Sequence, residues 1–120
     1  MSETLSARLA GFRRAHDLEL TMVCSDGVVL GFDAKVEIDV ARMGQTASDL
    51  VLLMRAIGAD MEKGGLQMSI LEYEGGTLVV THLPTGEGLL LLSADTVNVG
   101  RVRIAARGFR EAYEKTRVLA

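Results

Sequence analysis

The chain has 120 residues, of which 48% are hydrophobic, and this is enough for one domain with a small core. A formal net charge of −3 and an aromatic content of 4%, without tryptophan, argue against binding of nucleic acid by phosphate contacts or base stacking. No apolar run approaches the roughly 18 residues of a membrane helix, and the opening MSETLSARLAGFRR lacks the apolar core of a secretory signal. Cys24 is the one cysteine and cannot form an internal disulfide, which agrees with a reducing compartment. We therefore expect a cytoplasmic protein, and from its length a single domain over residues 1–120.

The first elements in chain order are a short helix and a hairpin. Within residues 3–15, apolar residues recur at helical spacing, namely Leu5, Leu9 and Phe12. Residues 18–25 alternate between two sets of side chains, which is typical of a strand. Asp26-Gly27 then favours a tight turn because glycine accepts a positive φ, and residues 28–32 form the returning strand.

A long helix is predicted from about Val40 to Lys63, with Asp39 as its N-cap and Gly64-Gly65 after its end. Its apolar residues recur at intervals of three and four: Val40, Met43, Ala47, Leu50, Met54, Ile57 and Met61. Residues 51–53 widen this stripe, so the middle of the helix is apolar nearly all round. One sheet face can cover one stripe. The rest requires flanking segments of the same chain or a second copy, and we favour the second copy.

Two glycines interrupt this helical pattern. Gly44 and Gly58 each cost ~1 kcal/mol relative to alanine in a helix interior. Each glycine indicates either the close approach of another backbone or a break. A break at Gly44 would delay the start of the helix to near Thr46.

The second half of the chain predicts three strands and a helix. Residues 66–74 form a strand with Leu66, Met68 and Ile70 on one face, and residues 77–83 return after Gly75-Gly76. The run Gly88–Leu92 contains four leucines, which indicates a central strand buried on both faces. A last helix is capped by one of three polar residues and buries a helical stripe; the caps are Asp95, Thr96 or Asn98, and the stripe is Val99, Val102, Ala106, Phe109 and Tyr113.

The stretch THLPTGEGLLLLSAD, residues 81–95, places Gly86 and Gly88 after a strand, as in a phosphate-binding loop. Such loops open a helix whose N–H groups bind the anion, often with a nearby lysine. Here a run of leucines follows instead, and neither G-K-[ST] nor G-x-G-x-x-G is present. The pattern therefore predicts a hairpin turn.

Candidate catalytic residues are few. Cys24 lies in register with apolar residues, so we expect a small buried hydrophobe. His82 shares a predicted face with Leu78 and Val80, which favours a structural role. Two histidines and one cysteine, widely separated, do not have metal-ligand spacing. We therefore expect no catalytic, cofactor-binding or metal-binding residues, and a protein that is not an enzyme.

Charge is unevenly distributed along the chain. Residues 1–16 carry three arginines against one acid, residues 101–117 carry six cations against two acids, and the stretch between them carries four cations against thirteen acids. Two explanations remain open, namely two solvated helix faces or a basic docking surface. The candidate docking residues are four arginines of the last helix: Arg101, Arg103, Arg107 and Arg110.

Taken together, three segments resemble the roadblock/dynein-light-chain family over residues 5–115. They are the hairpin TMVCSDGVVLGF, the stretch EKGGLQMSILEYEGGTLVVTHLPTGEGLLLLS and the closing VGRVRIAARGFREAYE. The resemblance implies an α/β sandwich in the order α-β-β-α-β-β-β-α. A five-stranded antiparallel sheet would carry the long helix on one face and the two terminal helices, with their basic charge, on the other.

The resemblance also implies a function. Members of the family are homodimers, or heterodimers with a paralogue, in which the third strand pairs at its edge and the long helices lie side by side. They are non-enzymatic regulators or scaffolds of small Ras-like GTPases, including the bacterial gliding-motility type, or cargo-adapting subunits of dynein. We predict a dimer interface of six residues: Leu50, Leu53, Met54, Ile57, Met68 and Ile70. The alternative is a regulatory module of similar build that senses a small molecule between helix and sheet.

Overall fold

The protein is described by a computed structural model that covers residues 4–119 except residue 84 and residues 95–98, and only the backbone of residues 114–119. The elements in chain order are α1 (Leu5–Ala15), β1 (Leu20–Ser25), β2 (Val28–Ala34), α2 (Val40–Asp60), β3 (Met68–Tyr73), β4 (Gly76–His82), β5 (Gly88–Ser93) and α3 (Val99–Leu119). The strands form one antiparallel sheet in the order β2-β1-β5-β4-β3. The predicted element order and sheet are confirmed.

Each face of the sheet carries a helical layer. On one face, α2 lies across β2, β1 and β5, and its Val51 packs with Met22 and Leu90 in a buried cluster, here called the long-helix cluster. On the other face, α1 contacts β1 and β2 while α3 contacts β4. Leu9 and Phe109 belong to the buried cluster on this side, here called the terminal-helix cluster. The two faces thus bury apolar area separately, which is the main favourable term in folding.

The two central strands are buried on both faces. This was predicted for β5 from its leucines, and the structure confirms it. For β1, however, the alternation of residue types does not correspond to one exposed face, because Thr21 and Val23 are as fully buried as Met22. The Thr21 hydroxyl donates a hydrogen bond of 2.9 Å to the Leu9 carbonyl, so this polar side chain is satisfied inside the core.

The long helix begins where the N-cap signal placed it. The Asp39 carboxylate accepts a hydrogen bond of 3.1 Å from the Arg42 N–H. The helix is continuous through Gly44, so the later start near Thr46 is wrong. A Cβ at Gly44 would lie 2.4 Å from Val29 Cγ2, and the glycine therefore allows α2 to approach β2 closely. The helix ends at Asp60, three residues before the predicted end at Lys63.

Two further predictions concern the loops around β3 and β5. Leu66 precedes β3 and packs against the long-helix cluster, whereas Met68 packs against the terminal-helix cluster, so their predicted common face is wrong. The stretch before β5 is a hairpin turn, as predicted: the Leu83 N–H donates to the Glu87 carbonyl at 2.7 Å, and Gly86 has a φ of +104°. The candidate caps of α3, which are Asp95, Thr96 and Asn98, lie outside the described residues.

Candidate functional site

The outer side of α2 carries an exposed apolar stripe. Leu53, Ile57 and Met61 follow one another at intervals of four residues and are 64%, 55% and 57% exposed. Side chains at this spacing share one face of a helix. The long-helix cluster buries the opposite side of α2. These three apolar side chains therefore stay exposed to solvent in the single chain.

The edge strand β3 lies next to this stripe. Within the described chain β3 pairs with β4 alone, and α2 crosses the other half of the sheet. Leu71 is paired with Leu78, which packs on the long-helix cluster, so Leu71 and Tyr73 lie on the α2 side of the sheet. Tyr73 is 61% exposed. The sheet edge therefore presents both an unpaired backbone and uncovered side chains.

A groove of about 310 Å³ joins the helix to the strand. Ile57 and the C-cap residue Met61 line it from the end of α2, Leu66 lines it from the segment before β3, and Ser69 lines it from β3 itself. Lys63 is the single charged side chain among the described residues that line the groove. The stripe Leu53, Ile57 and Met61, together with the free backbone edge of β3 and its α2-side residues Ser69, Leu71 and Tyr73, is here called the α2–β3 face.

The six predicted interface residues do not all lie on this face. Leu53 and Ile57 do. Leu50 and Met54 are half-buried against the long-helix cluster, and the Met54 sulfur accepts a hydrogen bond from the Ser69 hydroxyl. Met68 and Ile70 point to the opposite side of the sheet, since Ile70 is paired with Val79 of the terminal-helix cluster.

Two exposed residues of the face were missing from the predicted interface. Met61 ends the helical stripe, and Tyr73 lies at the end of β3. The period of two from Ser69 through Leu71 places Tyr73 on the α2 side. The signal was therefore present in the sequence. It was missed because the apolar residues Met68 and Ile70 were used to define the face.

The terminal helices gather basic side chains on the other side of the sheet. Arg101, Arg103 and Arg107 of α3 are exposed, whereas Arg110 is half-buried and donates a hydrogen bond of 2.9 Å to the Gln67 side chain. On α1, the Arg13 guanidinium forms an ion pair with Asp33 of β2. The predicted basic residues thus lie on one helical layer, although they are not equally available for a partner.

The structure gives the surroundings of the two candidate catalytic side chains, Cys24 and His82. Cys24 is buried, and burial raises the pKa of its thiol, although a hydrogen bond with Ser48 acts in the opposite direction. Burial, with a contribution from the nearby Arg55 charge, lowers the pKa of His82. Its Nε2 atom is buried and has no hydrogen-bond partner within the described part of the chain. Neither environment activates a nucleophile or a base.

Histidine, cysteine, aspartate and glutamate side chains of the described residues do not converge in groups of three or more that could hold a metal ion. Among the helices of the described chain, none is long and apolar enough to cross a membrane.

Comparison with solved structures places this architecture in a known class. A roadblock/LC7 domain from Streptomyces avermitilis superposes with a TM-score of 0.85 at 19% identity, covering 97% of this chain and 99% of that one. The gliding protein MglB from Thermus thermophilus gives 0.78 at 16% identity, over 87% and 81%. A structure described as MglB with a tetrameric arrangement gives 0.81 at 15% identity, over 93% and 89%. No protein-family model and no curated protein matches the sequence.

The class is therefore an α/β sandwich whose long helix and edge strand form an apolar face. More particularly, the chain has the roadblock/LC7 fold, and the resemblance drawn from its sequence is confirmed at the level of the fold.

Proposed function

We propose that the chain forms a dimer through its α2–β3 face and acts as a non-enzymatic cytoplasmic adaptor for a small Ras-like GTPase. The observation that carries the proposal is the exposed stripe of Leu53, Ile57 and Met61 beside an unpaired edge strand. The partner copy is a second identical chain, or a paralogue with the same face. In this arrangement the two α2 helices lie side by side and the two sheets join at β3.

The energetics of such a dimer are favourable. Burying an exposed leucine, isoleucine or methionine side chain contributes about 1.5–3 kcal/mol, and a two-fold interface buries each residue twice. A face made of a helix and a strand corresponds to an obligate dimer interface of ~2,000 Å² or more. A two-fold antiparallel pairing centred on Ile70 sets Glu72 opposite Met68 of the second copy, so like charges do not face each other.

The class of partner follows from the family resemblance. Roadblock proteins of the bacterial gliding-motility type regulate small GTPases, and one structural neighbour is described as a gliding protein. The proposed partner-binding side chains are the basic residues Arg101, Arg103 and Arg107. Arg110 is expected to contribute less, because it already donates a hydrogen bond to Gln67. The adaptor orders the GTPase's own catalytic groups and donates none of its own.

The small-molecule alternative needs room between α2 and the sheet. Side chains of Met22, Val51 and Leu90 fill the middle of that layer, and the cavity at its end, beside Cys24 and Ser48, has a volume of only about 120 Å³, below the roughly 300–1,000 Å³ of typical ligand pockets. This packing supports the adaptor, since a ligand there would have to displace buried apolar residues at a cost of several kcal/mol.

The proposal is tested by affinity capture from native cytosol with the purified dimer as bait, in the presence of a GTP analogue or of GDP. We expect recovery of a Ras-like GTPase that depends on the nucleotide. A folded Leu53→Glu monomer is the matched bait and should recover less of it. A dimeric bait that recovers no GTPase with either nucleotide, while cytosolic metabolites raise its melting temperature, would establish the sensing module instead.

A further inference from the structure

A second apolar groove lies between the two terminal helices, on the side of the sheet opposite the α2–β3 face. Its volume is about 530 Å³. Phe12 and Phe109 form its floor, with ring centroids 5.2 Å apart in an edge-to-face arrangement. Phe109 belongs to the terminal-helix cluster, so the floor is anchored in the core while its upper surface is open.

Each wall of this groove contains a glycine among its lining residues. Gly11 of α1 and Gly108 of α3 are exposed within their helices, and a Cβ added to either would contact no other atom within 4 Å. At Gly44, by contrast, the added Cβ would collide with Val29. A glycine inside a helix costs ~1 kcal/mol relative to alanine, and packing within the chain does not account for that cost at Gly11 or Gly108. Walls without side chains let another backbone approach closely.

The ends of the groove are basic. Arg8 lies at one end, with its guanidinium carbon 5.6 Å from the Phe109 ring centroid. Arg101 lies at the other end, where it donates a hydrogen bond to the His16 carbonyl. The described side chains of α1 and α3 include seven arginines and a single acid, Glu111. The charge of this helical layer therefore selects an acidic partner.

We propose that this groove binds an amphipathic helix of a partner protein, with apolar residues against Phe12 and Phe109 and acidic residues beside Arg8 and Arg101. From Arg8 to His16 the groove runs for about 12 Å at the rise of an α-helix, so the docked helix contacts it over roughly two turns. The inference rests on the proposed function only in treating the chain as an adaptor. It does not depend on the dimer, because one chain supplies both walls.

The test pans a displayed library of helical peptides against the full chain and measures the affinity of the enriched peptides by fluorescence anisotropy. We expect enrichment of amphipathic helices with acidic outer faces. A Cβ at position 108 has no other atom within 4 Å, so Gly108→Leu places its side chain in the groove and should weaken binding by about 30-fold or more, as at an interface hot spot. Thermal melting and light scattering verify that this variant is folded and keeps its oligomeric state.

A matched pair of charge reversals isolates the electrostatic contribution. Arg101 contacts the groove residue His16, and Arg103, two residues further along α3, points in a different direction. Arg101→Glu should therefore weaken binding about 10-fold, whereas the same charge change in Arg103→Glu should weaken it by about 3-fold or less. A folded Leu53→Glu monomer should bind the peptides as well as wild type does, which separates this inference from the proposed dimer.

Several results would overturn the inference. They are a library without enriched binders, enrichment of basic or extended peptides, and binding that Gly108→Leu leaves unchanged. Binding to phosphatidylglycerol vesicles that Arg101→Glu and Arg103→Glu weaken equally, without acidic-helix binding, would assign the basic layer to a membrane surface instead.

Discussion

The two edge strands of the sheet, β2 and β3, differ in how far the helices cover them. β2 is covered on one face by α1 and on the other by α2, and its register with β1 shifts so that Leu30 forms a bulge. β3 pairs with β4 in unbroken register from Met68 to Tyr73, and α2 leaves it largely uncovered. Bulges and covering elements prevent a sheet edge from pairing with another chain. A regular, uncovered edge favours such pairing.

The exposure of apolar side chains does not by itself distinguish the edge at β2 from the edge at β3. On β2, Val28 is 58% exposed, which is as much as the residues of the α2 stripe. The two edges differ in the regularity of the strand backbone and in whether helices cover the strand. The α2–β3 face is therefore proposed as the interface because an exposed apolar stripe and a regular unpaired strand lie side by side there.

The largest effect is expected from a charge placed on the α2 stripe. Leu53→Glu buries two carboxylates in a two-fold interface and should weaken the dimer by about a thousandfold or more, giving monomer or aggregate. Val28→Glu, at a similarly exposed position on the other edge, should leave the dimer intact. Light scattering after size exclusion measures both. If Leu53→Glu and Ile70→Glu both remain folded dimers, the α2–β3 face is not the interface.

The next effect concerns how α2 covers β2. Gly44→Ala forces a methyl group against Val29 Cγ2, at 2.4 Å before relaxation, and overpacking of this kind costs about 1–3 kcal/mol. The gain in helix propensity offsets ~1 kcal/mol of this cost. We expect a lower urea midpoint and an unchanged oligomeric state.

Gly108→Ala is the matched control for this experiment. It makes the same substitution in a helix where the new methyl group meets open space, and should raise stability by up to ~1 kcal/mol. Equal stability changes in the two variants would contradict the close approach of α2 to β2.

A smaller effect is expected from the ion pair that ties α1 to β2. Arg13 and Asp33 are partly shielded from solvent, so a double-mutant cycle with alanine should give a coupling of about 1 kcal/mol in urea unfolding. The pair Lys35–Asp17, with its charged groups 3.7 Å apart and far more exposed, should show no measurable coupling. A stronger coupling at the exposed pair would contradict the expectation that the Arg13–Asp33 ion pair stabilises the contact of α1 with β2.

The smallest effect is a pH dependence at His82, which ends the strand that supports β3. Because burial lowers the pKa of His82 in the folded state, the unfolded chain takes up a proton first as the pH falls. The contribution to stability is complete above the unfolded value of about 6.5 and is lost as the pH falls through the folded pKa. Urea midpoints between pH 8 and pH 5 should therefore decline less steeply for His82→Gln. Parallel profiles for the variant and wild type would contradict this burial.

Part of the interface was predictable from the sequence and part was not. The excess of apolar residues at positions 51–53 indicated that α2 needs cover from outside the chain, and the stripe through Leu53 and Ile57 lies where helical spacing places it. On the strand, Met68 and Ile70 lie on the side of the sheet opposite Leu66, and not on its face as predicted. Leu66 packs against the long-helix cluster, which includes Met22 and Leu90, and these two residues are distant from Leu66 along the chain.

The sequence by itself determined the local features, because their causes lie within a few residues. Asp26 and Gly27 turn the hairpin with φ of 50° and 82°, Asp39 caps α2, and the leucines of β5 require burial on both faces. Tertiary structure alone decided which sheet edge stays open and which glycines face a neighbour. Three features depend on elements that come together only when the sheet and helices pack. They are the bulge at Leu30, the close contact between Gly44 and Val29, and the open space beside Gly108.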